Sequence, residues 1–312
     1  MAPVPQPIPY QGSKRQLAQR ILSFLPADTG VLYEPFAGSG ALTLAAADAG
    51  RAQRYVISDT LAPLIGIWEL IRTDPERLCA GYAQLWSAQG ASPRATYDAC
   101  RADYNAAPDP IRLFFLIARC VKNAVRFNAD GAFNQSPDTR RIGTHPDRVR
   151  ARVLQSHGLL QNARCYARDY AQSLGEAAPF DVVYMDPPYM GVSGKRDRRY
   201  FQGLDLKRFI AELDRANQRH VSYIVSFDGR CGDRSYGPGL PEHLKLHHLE
   251  LDAGRSAQAT LSGRAEQTFE SLYVSPALLA RLGSPALLAR LGSPALLARL
   301  GSPALTPAAT LR

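Results

Sequence analysis

Four consecutive residues, Asp186-Pro187-Pro188-Tyr189, follow an apolar run from Val182 to Met185 that reads as a buried strand. Two prolines neither extend a sheet ladder nor enter a helix interior, so the chain beyond that strand is stiff and extended. An acceptor-only carboxylate and a flat ring on such a segment suit the holding of a planar group. A second constellation lies upstream. Phe36-Ala37-Gly38-Ser39-Gly40 stands between a strand and a helix, where glycines let the backbone approach a ligand closely. Asp59 closes the next strand 19 residues after Gly40, about the spacing at which an acid bonds ribose hydroxyls in dinucleotide-binding folds. The loop lacks the downstream glycine of GxGxxG, which favours a ribose-bearing cofactor without a pyrophosphate. No Ser or Cys stands beside a base in a nucleophile motif. His243 and His247 are spaced like a metal pair, but LKLHHLEL alternates as a strand does, so solvent-facing histidines and no metal are expected.

The elements that must position these residues follow from periodicity. Leu17, Ile21, Leu22 and Leu25 have helical spacing. Strands are expected at GVLYEPF, RYVISD, RCYARDY, FDVVYMD, HVSYIVSFD and FESLYV. ALTLAAADAG is a helix stopped by Gly50, and another helix covers Leu206–Asn217. Residues 61–125 read as helices punctuated at Asp74-Pro75 and Asp109-Pro110, and 127–145 as a polar, arginine-studded stretch. Alternating strands and helices give the α/β class, with a mostly parallel sheet covered on both faces.

The chain has 312 residues and a formal charge of +9, unevenly placed. Ten basic residues against three acids fall between Arg119 and Arg168, and four against one between Ser193 and Arg199. Two concentrated basic segments flanking a candidate site favour a polyanionic partner. The five cysteines form no CxxC pair and no secretory signal opens the chain, so reduced thiols in a cytoplasm are expected. No apolar run approaches the roughly 18 residues of a membrane span.

Three stretches in order, PYQGSK (Pro9–Lys14), EPFAGSGAL (Glu34–Leu42) and MDPPY (Met185–Tyr189), resemble the Dam-like, D12 class (alpha group) of DNA adenine-N6 methyltransferases. The resemblance covers roughly residues 8–274 and includes RFNADGAFN (Arg126–Asn134), which is similar to the family's DNA-reading hairpin. It implies a Rossmann-like S-adenosylmethionine-dependent methyltransferase fold with an inserted, mainly helical DNA-recognition region. It also implies site-specific transfer of a methyl group from S-adenosylmethionine to adenine N6 in duplex DNA by base flipping, in a restriction–modification or orphan system. A cognate restriction endonuclease is a partner that the class allows. Carried over by position, Tyr10 (where many relatives have Trp), Gly12 and Lys14 contact the cofactor. Glu34, Phe36, Gly38 and Gly40 face its methionine part, Asp59 its ribose, and Asp169 and Tyr170 its adenine. Asp186, which also contacts the cofactor, and the Pro187 carbonyl accept the N6–H bonds of the target adenine, Pro188 belongs to the same catalytic segment, and Tyr189 stacks on the base. DNA contacts are expected from Lys122, Arg126, Asn128, Asn134, Arg140 and Arg141, and from Lys195, Arg196, Arg198 and Arg199 after the DPPY loop. N4-cytosine DNA methylation, where Ser usually replaces the acid, and a non-catalytic DNA-binding role are the alternatives.

The expected organisation is catalytic over 1–60 and 166–274, with the helical and target-recognition insertion at 61–165. From 275 to 312 runs a tail in which SPALLARLG occurs three times without mismatch before a fourth copy begins. Each copy carries Ser as cap, Pro in the first turn and Gly as stop. Nine residues are too few for a solenoid repeat, so the tail is expected to lie outside the catalytic fold.

Overall fold

The computed structural model describes residues 3–188, 204–231, 234–235, 239–255 and 267–283. Tyr189, Lys195, Arg196, Arg198, Arg199 and the later SPALLARLG copies lie outside the described residues. The chain opens with a 3-10 turn at Lys14–Gln16 and helix α1 (Ala18–Leu22). There follow β1 (Val31–Pro35), α2 (Ala41–Asp48), β2 (Arg54–Asp59), then α3 (Ala62–Thr73), α4 (Pro75–Ser87), α5 (Pro93–Ala106), α6 (Pro110–Arg119) and α7 (Pro146–Leu159). The sheet resumes with β3 (Ala163–Ala167), α8 (Tyr170–Glu176), β4 (Val182–Met185), α9 (Leu206–Gln218) and β5 (Tyr223–Cys231). It finishes with β6 (Arg234–Ser235), β7 (His247–Arg255), β8 (Gln267–Val274) and α10 (Pro276–Leu282).

Among the described residues one eight-stranded sheet runs β3-β2-β1-β4-β5-β8-β7, with β6 paired to β5. β3, β2, β1, β4 and β5 are mutually parallel. β6 and β8 are antiparallel to β5, and β7 is antiparallel to β8, an edge the alternating pattern did not announce. Strand side chains alternate between two cores. Leu32, Ile57, Tyr184 and Ile224 pack with α1, α2, α3 and α6, while Tyr33, Val56, Val183, Met185 and Val225 pack with α8 and α9. After β1 the chain builds toward β3, and after β3 it returns to the other side of β1 to place β4. The strand order therefore reverses between β1 and β4, and open α/β sheets bind ligands at the carboxyl ends of such strands.

Both Asp-Pro pairs prove to be helix starts. Asp74 accepts a hydrogen bond from Arg77 N, and Asp109 accepts from Ile111 N and Arg112 N, with the prolines in the first turn. Helix α6 is buried from Leu113 through Arg119. The Arg119 guanidinium, 2% exposed, donates to Gln89 Oε1 at 2.5 Å, to Asp138 O at 3.1 Å and to Arg141 O. One charge of the basic segment is thus a structural clamp on the loop after the hairpin. Burial lowers its pKa from the ordinary arginine value, and the facing groups of Tyr97, Tyr82 and Asp138 oppose that shift.

The first SPALLARLG copy departs from the expectation of an appendage. Ser275 is fully buried, and its hydroxyl accepts from Tyr223 N at 2.9 Å and from Leu278 N at 3.3 Å. Leu278 has no exposed surface. Arg281 reaches the Asp28 carboxylate at 2.9 Å and the carbonyl of Asp181 at 3.2 Å. Identical units look alike in sequence, but this one starts where β8 ends, which sets its cap against the start of β5.

Candidate active site

The β1–α2 loop forms the first wall. Phe36 has a left-handed backbone (φ 68°), a conformation that costs a non-glycine residue about 1–3 kcal/mol and tends to persist where function requires it. It turns the ring onto Tyr170, centroids 5.1 Å apart and nearly parallel. Gly38 (φ 47°) leaves room for the Tyr10 ring, which a Cβ there would meet at 3.3 Å. Gly40 (φ 56°) admits Trp68, whose ring a Cβ would meet at 2.7 Å and whose Nε1 donates to Gly38 O. The glycines are therefore fixed by packing on both sides of the loop. Ser39 donates to Ser13 Oγ at 2.8 Å, tying the loop to the N-terminal segment.

Carboxylates surround the space at the carboxyl ends of the parallel strands, Glu34, Asp59, Asp169, Asp186 and Asp205 among them. Glu34 accepts from Thr43 N at 2.8 Å and Leu42 N at 3.4 Å, so its charge anchors the start of α2. Burial pushes its pKa up to about 7, against the pull of the Thr43 and Leu42 bonds. Asp59 accepts from Leu61 N at 3.0 Å and is raised by burial. Asp169 caps α8 through Ala171 N and pairs with Arg208 at 2.7 Å, while the Arg208 guanidinium lies 5.4 Å from the Tyr170 ring centre. Asp186, 21% exposed, lies 3.0 Å from the Lys14 ammonium, which also lies 3.2 Å from Glu270. Burial raises the pKa of Asp186, with the Lys14 charge opposing. Burial opposes the Lys14 charge in turn, but Asp186 and Glu270 override it and hold the ammonium well above its ordinary pKa.

A cavity of about 330 Å³ joins these groups. Tyr10, Gly12, Lys14, Glu34, Phe36, Gly38, Asp59, Asp169, Tyr170, Asp186 and Pro188 all line it. Gly40 and Pro187 are adjacent in the chain but are not on its wall. Six lining residues carry no sequence signal, namely Thr60, Leu61, Val125, Leu204, Asp205 and Arg208. Glu270 was also missed, though a signal existed: it shares the period-2 face of β8 with the buried Leu272 and Val274. His243 is exposed and pairs with Asp214, and no cluster of metal-ligating side chains occurs among the described residues.

The segment Arg126–Asn134 is a hairpin, as its resemblance implied. Phe127 and Phe133 pair antiparallel, Asn134 N donates to Arg126 O at 3.0 Å, and the Asn128 side chain accepts from Asp130 N and Ala132 N. Lys122 and Asn123 both have left-handed backbones, and Asn123 O accepts from Gln11 N at 3.0 Å, docking the hairpin root beside the cavity. Lys122, Asn128, Asn134, Arg140 and Arg141 are exposed and Arg126 is half-buried. Arg140 and Arg141 both bond Asp138. Bonding from the Arg140 side chain holds the Asp138 carboxyl well below the usual carboxylate range. None of these six residues lines the cavity.

A sheet whose β3-β2-β1-β4-β5 portion is parallel and covered on both faces, with a glycine loop and an acid meeting at its switch point, defines a nucleotide-type ligand-binding α/β protein. A sequence model described as D12 class N6 adenine-specific DNA methyltransferase matches residues 10–237. The chain belongs to that family. The DNA adenine methylase of Escherichia coli strain K12 is 25% identical over 281 residues, covering 86% of this chain and 96% of that protein. The DNA adenine methylase of Salmonella typhi is 28% identical over 188 residues, 59% of this chain and 64% of its own. That of Haemophilus influenzae is 24% identical over 228 residues, 70% and 77%. The family's adenine specificity sets aside the cytosine alternative.

Proposed function

We propose that this chain methylates adenine N6 in duplex DNA, taking the methyl group from S-adenosylmethionine held in the cavity between β1 and β4. The observation that carries the reading is the meeting of Asp186 with the β1 glycine loop at one switch-point cavity. The residues present fit that donor. Three rings, Tyr10, Phe36 and Tyr170, offer faces to a purine, Asp59 suits a ribose diol, and a surplus of carboxylates suits a cationic ligand.

When bound, S-adenosylmethionine would supply a methyl group on a positively charged sulfur. The adenine amine is a poor nucleophile because its lone pair is delocalised into the ring. Asp186 and the Pro187 carbonyl each accept one N6–H bond, which localises that lone pair on nitrogen. The stiff Pro187-Pro188 segment fixes both acceptors, so most of the acceleration comes from orientation. No strong base is required beforehand, because the nitrogen sheds its proton after methylation has made it acidic. Reaching N6 requires the nucleotide to leave the stack, and Tyr189 is assigned to stack on the extruded base.

The exposed Lys122, Asn128, Asn134, Arg140 and Arg141, together with Arg126, are assigned to the DNA, as are Lys195, Arg196, Arg198 and Arg199 after the DPPY segment. The catalytic unit comprises residues 1–60 and 166–283, with 61–165 inserted for recognition; its end moves to Gly283 because α10 packs on the sheet.

The deciding assay incubates the chain with labelled S-adenosylmethionine and duplex DNA, then digests the DNA to nucleosides. Label in N6-methyladenine is expected. Label confined to cytosine, or no transfer at all, would refute the reading.

A further inference from the structure

Glu270 belongs to none of the motifs that carry the resemblance, yet it sits at the centre of the charge arrangement. It is 8% exposed on a strand whose neighbouring same-face residues, Leu272 and Val274, are wholly buried. A buried carboxylate costs several kcal/mol unless it is paired. Its partner is the Lys14 ammonium at 3.2 Å, whose other carboxylate is Asp186 at 3.0 Å. The backbone is shaped to bring it there. The β5–β8 register shifts between Ser226 and Gly229, and Gly229 stands opposite Glu270. A Cβ on Gly229 would lie 2.5 Å from Phe269 O, so the strands approach this closely only because that residue is glycine.

We propose that Glu270 is a positioning residue for methyl transfer, holding Lys14 so that Lys14 fixes the Asp186 carboxylate in the orientation that accepts the N6–H bond. The proposal rests on the function proposed above. A lysine on a four-carbon stem, paired with one carboxylate only, can swing with it. Two carboxylates within 3.0 and 3.2 Å of the ammonium clamp it, and the clamped ammonium sets the rotation of Asp186 about its Cβ–Cγ bond through Oδ1. Lys14 and Asp186 line the cavity, whereas Glu270 does not. Glu270 therefore acts through Lys14 and does not itself touch the base.

The test uses the full chain carrying Glu270→Gln, which preserves shape and removes the charge. Single-turnover methyl transfer is measured at saturating S-adenosylmethionine and DNA, alongside the dissociation constants of both ligands. The rate is expected to fall at least about ten-fold, the scale on which outer partners of a reacting ligand act, with both dissociation constants within about two-fold. In a Lys14→Met background the same change should cost less than about two-fold, because a residue acting only through Lys14 has nothing left to act on. A merely structural ion pair would instead lower melting temperature and weaken binding in step with rate. An unchanged rate, a full additional loss in the Lys14→Met background, or a rate loss explained by weakened binding would each overturn the proposal. If Glu270→Gln fails to fold, Glu270→Asp keeps the charge but withdraws it by one methylene, and it is judged by the same criteria. N6-methyladenine from the unmodified chain, and none from Asp186→Ala, test the underlying function separately.

Discussion

A chain ending at Val274 should be markedly less stable than one ending at Gly283. The nine residues between them bury Leu278 completely and place Arg281 against Asp28, Phe180, Asp181 and Ser222, the segments leading into β1, β4 and β5. Helix α10 thus closes the end of the sheet opposite the cavity. Removing the Leu278 side chain alone costs about 2–5 kcal/mol, as for other large-to-small changes in a packed core. Losing Ser275 removes a helix cap worth about 1 kcal/mol, and leaves the buried Tyr223 N–H without the 2.9 Å bond it now donates to the Ser275 hydroxyl. The shorter chain should therefore lose on the order of 5 kcal/mol from a total that is about 5–15 kcal/mol for a protein of this kind. At about 2–4 °C per kcal/mol for domains of roughly this size, its melting temperature should drop by about 10–20 °C. Leu278→Ala in the chain ending at Gly283 should show about half that drop. It should still methylate DNA at 20 °C, because it sits at the far end of the sheet. Calorimetric melts of the three proteins check this. A Val274 chain melting within about 2 °C of the Gly283 chain would show that the packing of α10 contributes no stability, against the cost expected of a filled core site.

Asp186→Ala should lower single-turnover methyl transfer by at least about 10²–10³-fold, the cost of removing one oriented electrostatic partner, with circular dichroism and DNA binding preserved. Asp59→Ala should weaken S-adenosylmethionine binding by calorimetry and leave DNA binding intact. Arg140→Ala with Arg141→Ala should do the reverse and also flatten the salt dependence of DNA affinity, since fewer counterions are released. Glu34 should make stability fall as pH rises. Its pKa is about 7 when folded against 4.5 ordinarily, so between those values the unfolded chain holds fewer protons, and on the order of 3 kcal/mol is lost across the window. Glu34→Gln should flatten that slope between pH 5 and 8 in denaturant titrations, leaving the part due to Glu270, also about 7. An unchanged slope would mean that Glu34 does not titrate in that window.

What could be read from the sequence divides along local and non-local lines. Strand β1, its glycine loop and the DPPY segment were legible because each declares itself within about ten residues, by apolar runs, glycine and proline. Asp74-Pro75 and Asp109-Pro110 were legible as punctuation and became starts once their caps were seen. The role of Glu270 was not: its place on the apolar face of β8 sets it apart, but its meaning depends on a lysine 256 positions earlier, brought close by an antiparallel edge with a shifted register. Arg208 likewise looks like any surface arginine of α9 until Asp169 and Tyr170 stand beside it. The docking of the first SPALLARLG copy is illegible in sequence for a related reason. A repeat has one sequence but many neighbours, and only the copy joined to β8 meets the start of β5.

The charge layout ties these observations together on the proposed reading. The chain is basic overall, yet the cavity is walled by Glu34, Asp59, Asp169 and Asp186, with Lys14 and Arg208 both engaged by carboxylates. A cationic methyl donor and a polyanionic substrate must meet in one place, and a uniformly charged surface would repel one of them. Confining the negative charge to a partly buried cavity and the positive charge to the exposed loop after α6 keeps the two fields apart. Beyond about 8 Å, salt at physiological strength screens the exposed arginines, while charges inside the cavity are screened much less. The basic segments can therefore gather DNA without cancelling the field that receives the donor. Lys14 stands at the boundary: lying against both Asp186 and Glu270, its charge opposes the rise that burial imposes on the pKa of the reacting carboxylate.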